Sequence, residues 1–100
     1  MKNKMYVVVR EDLDPGLRTA QACHAATLYG RDFGASEEQN LIVLGVPDKE
    51  QLAQLLFELE RRHIPKVWFK EPDVDNELTA LACPVEATPL VRNLPLLFQG

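Results

Sequence analysis

In the stretch Gly16 to Gly30, GLRTAQACHAATLYG, a glutamine and a histidine stand in a run made largely of alanine and other small residues. At 100° per residue, Leu17, Gln21, His24 and Leu28 share one stripe of a helix, so the amide and the imidazole stack about one turn apart and can act on one ligand. An imidazole accepts and returns a proton near neutral pH, and an amide N–H donates to a developing negative charge. The plainer alternatives are a partly buried histidine satisfied by a backbone carbonyl and a surface amide.

The elements that must position this pair follow from local pattern. Ala20, Ala22, Ala25 and Ala26 let the helix, expected from Gly16 or Leu17 to about Tyr29, press closely on a sheet, with GRDFGASEEQ as the loop after it. KMYVVVR, Lys4 to Arg10, has three consecutive valines and reads as a strand covered on both faces, in the middle of the sheet. NLIVLGV, Asn40 to Val46, reads likewise. Asp48 and Gln51 have capping-box spacing, and Leu52, Leu55, Leu56 and Leu59 follow at helical intervals. Arg61 to His63 suit the negative end of that helix, and Pro65 stops it. KVWFK, Lys66 to Lys70, is a third strand; EPDVDN is a turn; ELTALAC, Glu77 to Cys83, is a fourth strand ended by Pro84.

The order β-α-β-α-β-β implies parallel strands with right-handed crossovers and a hairpin-like return, hence an α/β domain of three layers, α/β/α, around a mixed four-stranded sheet. The leucines of LVRNLPLLFQG are expected to pack the tail down. Trp68 and Phe69 alternate in direction, so one should fill the core; neither is assigned as a base-stacking platform.

One hundred residues form one expected domain over 1–100, and 46% hydrophobic with 26% charged residues is the composition of a soluble globular protein. No apolar run approaches the ~18 residues of a membrane span, and the apolar part of the N-terminus is too short for a signal peptide, so a cytoplasmic protein is expected. Cys23 and Cys83 lack a partner at metal spacing and are taken as small buried hydrophobes, unlinked. A net charge of -4 argues against loose, charge-driven nucleic-acid binding.

YVVVREDLDPGLRTAQACHAATLYG resembles the first strand and helix of the type 2 peptidyl-tRNA hydrolases, whose pattern runs V-V-R-x-D-L and then G-K-x-A-A-Q-x-x-H-A, and LTALACP is similar to that family's final strand. The resemblance covers nearly the whole chain and matches Arg10, Asp12, Gly16, Gln21, His24 and Thr79 to family positions. It departs at two points. The family lysine is Leu17 here, with Arg18 beside it, and the D-A-G-R-T loop with its catalytic aspartate is replaced by the shorter KEPDVDNE.

The resemblance implies hydrolysis, without metal or other cofactor, of the ester joining a peptide to tRNA. On that footing His24 takes a proton from water, and the Gln21 amide or Thr79 hydroxyl donates to the oxyanion. Glu71 and Asp73, placed in the loop before the last strand, orient the imidazole or replace the missing aspartate. Arg10, Asp12 and Arg18 are substrate-binding candidates, Arg18 as a stand-in for the lysine. The structural alternatives are a β-forming Thr79, an Arg10–Asp12 pair at a strand end, Asp75 and Asn76 as turn residues, and His63 as a helix C-terminal cation. Beside the hydrolase stand a non-catalytic relative binding a nucleotide, RNA end or protein in the same cleft, and a homodimer formed through the apolar tail.

Overall fold

The computed structural model describes residues 4–34 and 40–97. Strand β1, Lys4–Arg10, leads through helix α1, Pro15–Phe33, to β2, Asn40–Val46. Helix α2, Lys49–Arg61, then leads to β3, Val67–Glu71; a single 3-10 turn, Pro72–Val74, precedes β4, Glu77–Pro84, and a short α3, Thr88–Val91, follows. The sheet order is β2-β1-β4-β3, with β1 parallel to β2 and β4 antiparallel to both β1 and β3. The mixed four-stranded sheet is as expected, and its first strand is interior.

The connections through α1 and α2 lead toward opposite edges of the sheet. Crossovers of one hand then put the two helices on opposite faces. Alternation along the strands shows this directly. Val7, Val9, Ala80 and Ala82 pack with Ala22, Ala25 and Tyr29 of α1, while Tyr6, Val8, Leu81 and Cys83 pack with Leu52, Leu55 and Leu59 of α2. Alanine faces alanine and valine across the α1 layer, so that helix lies close to the sheet, whereas leucines fill the α2 layer. The Asp48 side chain accepts from Gln51 N at 2.9 Å and caps α2. The tail folds back over β2: Gly45 N donates to Pro95 O, Leu97 N donates to Val43 O, and Val91 and Leu97 are buried. Of the tail leucines Leu97 is buried, while Leu96 is 54% exposed.

Four expectations are corrected. Gly30–Phe33 belong to α1 rather than to a loop, since nothing breaks the helix before Gly34, whose φ of 81° ends it; residues 35–39 of the expected loop lie outside the described residues. Cys23 is exposed, because the buried face of α1 runs through Gln21, Ala22, Ala25 and Tyr29; Cys83 is buried. Neither Trp68 nor Phe69 fills the core, because β3 is an edge strand: Trp68 is 42% exposed and Phe69 half-buried. Finally, β3 runs one residue later than expected, so Glu71 ends a strand.

Candidate functional site at the carboxyl edge of the sheet

The ends of β1 and β3, the start of β4 and the start of α1 meet at one edge of the sheet, where open α/β sheets place their ligands. The site begins with an irregularity. On β3 and β4, Phe69 pairs with Ala80 but Lys70 pairs with Leu78, so Thr79 is an extra residue. Leu78 and Leu81 face the α2 layer and Ala80 faces α1. Strict alternation from Leu81 would therefore turn Thr79 toward α2. The bulge reverses it, and Thr79 and Ala80 both face α1.

Turned this way, the wholly buried Thr79 hydroxyl donates to Gln21 Oε1 at 2.6 Å; Phe69 O is a longer 3.3 Å away, so the single proton goes mainly to the amide. Gln21, only 1% exposed, donates from Nε2 to Glu71 Oε2 at 3.0 Å. The carboxylate fixes the amide's orientation, since the flipped form would set two acceptors against each other. A buried relay, Thr79 to Gln21 to Glu71, thereby holds a half-buried carboxylate at the sheet edge.

Three residues beyond Gln21 on α1 and two before Glu71 on β3, His24 and Phe69 form the second pairing between these elements. Their rings stack with centroids 4.5 Å apart and planes 14° from parallel. Phe69 and Glu71 stand on one face of β3, about 7 Å apart along it. His24 is exposed, and among the described residues it makes no hydrogen bond to a carbonyl or to either acidic candidate. The structure therefore separates the expected pair: Gln21 is neither a surface amide nor a free donor, and His24 is not a buried, satisfied histidine. Asp73 lies exposed in the 3-10 turn beyond Pro72, with no hydrogen bond among the described residues, while Asp75 and Asn76 take positive φ as turn residues. His63 follows the C-cap of α2 with φ 56°; Arg61 and Arg62 pair with Glu58.

Arg10 belongs to the opposite face. Its guanidinium donates to both Asp12 oxygens at 2.9 Å, to Glu77 Oε1 at 2.9 Å and to Leu78 O at 3.1 Å, and Lys49 Nζ lies 3.3 Å from Glu77 Oε2. With four of five N–H groups spent and the residue 7% exposed, Arg10 fastens β1 to β4 beside the bulge. The hydrogen bond from Arg10 holds Asp12 below its ordinary carboxyl value, and those from Arg10 and Lys49 do the same for Glu77. Arg18 differs. It lies one turn before Gln21 on α1, half-buried, and its Nε is a buried donor without a partner among the described residues.

The stacked Phe69 escaped sequence reasoning. Its signal was its place two residues before Glu71, which aligns the two only once β3 is read through Glu71.

The chain is an α/β protein in which α1 and β3 meet twice near the carboxyl edge of the sheet, through Gln21 with Glu71 and through His24 with Phe69. The chain belongs to the peptidyl-tRNA hydrolase PTH2 family, whose sequence model matches residues 3–88. Among solved structures, a protein of unknown function from Agrobacterium tumefaciens shares the fold with a TM-score of 0.78 at 14% identity, covering 96% of this chain and 98% of that one. No curated protein matches.

Proposed function

We propose that this chain hydrolyses the ester of peptidyl-tRNA, or of an N-blocked aminoacyl-tRNA, with Glu71 as the base. The observation that carries the reading is the buried Thr79–Gln21 pair holding the Glu71 carboxylate at the site edge, in a member of this family. Glu71 takes a proton from water, and the resulting hydroxide adds to the ester carbonyl. The tetrahedral intermediate then expels the ribose oxygen, which takes the proton back from Glu71 as the tRNA leaves, and the peptide acid releases its remaining proton to solvent and departs as a carboxylate. Gln21 and Thr79 act as positioning residues, because their polar groups are buried and engaged with each other.

Arg18, with its unpartnered Nε, supplies the positive charge for substrate or oxyanion. His24 walls the site on the helix side. Asp73, one turn beyond Glu71, borders the entrance, and Arg10 with Asp12 secures the sheet rather than contacting substrate. No described helix is long and apolar enough to cross a membrane, in keeping with a cytoplasmic tRNA-dependent role.

The burial of both expected oxyanion donors favours one other reading, a relative that binds the tRNA end without cleaving it. Incubation with N-acetylated aminoacyl-tRNA decides between them. Turnover abolished by Glu71→Gln supports the hydrolase, whereas binding without release above background removes it.

A further inference from the structure

We infer that the outer face of the His24 ring is a stacking site for the terminal base of a single-stranded nucleic-acid 3′ end; the identity of that end rests on the hydrolase reading. One face of the imidazole lies flat on Phe69, 4.5 Å between centroids, yet the residue is exposed. The opposite face therefore meets solvent. Phe69 holds the ring before any ligand arrives, so a base landing on it extends a two-ring stack to three at little further cost in side-chain freedom. Such stacking tolerates any base, since every base presents a π-face.

The distribution of positive charge points to the same place. Among the described residues Arg10, Arg31, Lys49, Arg61, Arg62 and Lys66 are all engaged in ion pairs. Arg18, which precedes His24 on α1, has none; nor has Lys70, which alternation along β3 turns to the opposite face from Phe69. Of the others without an ion pair, Lys4 begins β1 at the far end of the sheet and Arg92 follows α3 on the other layer. A ring platform with an unpaired cation on the same helix is a combination that single-strand binding uses, the rings taking bases and the cation taking backbone phosphate. It also shows how an acidic chain holds a nucleic acid: stacking provides what net charge does not.

The test titrates the trinucleotide CCA, and the same trinucleotide with an abasic 3′ residue, into the full chain while following the His24 ring protons by NMR. The expected result is an upfield shift of those protons with CCA, and affinity about tenfold weaker for the abasic form and for His24→Ala. His24→Phe, which keeps a flat ring but carries no proton, should bind CCA as the native chain does. Equal affinity for the two trinucleotides, unmoved ring protons, or His24→Phe binding as weakly as His24→Ala overturns the inference. Neither probe contains a cleavable ester, so a chain that stacks CCA on His24 but releases nothing from acylated tRNA would sink the hydrolase reading and leave this one standing.

Discussion

Thr79 Oγ stands 2.6 Å from Gln21 Oε1 because β4 carries one residue more than β3 at that point. The bulge turns a hydroxyl that would have faced the leucines of α2 toward the amide of α1, and so supports the only acidic side chain hydrogen-bonded to that amide among the described residues.

Replacing Thr79 by valine keeps the shape and removes the proton donor, leaving a buried amide oxygen without its partner. A loss of about 1–3 kcal/mol is expected in urea unfolding, and a smaller loss for Thr79→Ser, which retains the hydroxyl.

Glu71→Gln preserves an acceptor for Gln21 Nε2 but removes the base. Release of tRNA from an N-blocked aminoacyl ester should fall roughly 10²- to 10⁴-fold, with the urea midpoint close to that of the native chain. A variant as active as the native chain would dismiss Glu71 from the chemistry.

Acid stability should depend on Arg10. The Asp12 and Glu77 carboxyls are held below their ordinary values of 3.8 and 4.5, chiefly by hydrogen bonds from that guanidinium. Groups depressed in the folded state stabilise it above the unfolded value and lose that contribution as pH falls through the folded value. Stability, followed by circular dichroism in fixed urea, should therefore decline from about pH 4.5 downward. Arg10→Gln should be less stable at neutral pH and show a flatter acid limb.

The two thiols should be distinguishable. Cys23 is exposed beside an apolar groove shared with Leu41 and Val43, whereas burial pushes Cys83 up to about 12 and shields it. A thiol reagent should modify Cys23 in the native chain and reach Cys83 only in denaturant; native labelling of Cys83 would contradict the packing.

Much of the fold was legible in particular residues. The valines of β1 required cover on both faces, as found, and the leucines of α2 gave their helix its period. The capping aspartate was legible too, because a cap is a contact three residues long. The stripe of Leu17, Gln21, His24 and Leu28 was drawn correctly as helix geometry but straddles the border of the buried face. One side chain went into the sheet and its neighbour into solvent. Glu71 was misplaced by a single residue at a strand end, and that shift concealed its alignment with Phe69.

Periodicity, capping and turn chemistry operate over a few residues, and from them the chain announces its strands, its helices and the family motif running from Arg10 to His24. Which way Thr79 turns, which carboxylate Gln21 holds and which ring His24 lies on were decided only when β3 and β4 paired and α1 settled across them. Those contacts join residues 45 to 58 positions apart, and their geometry depends on register between elements rather than on pattern within one.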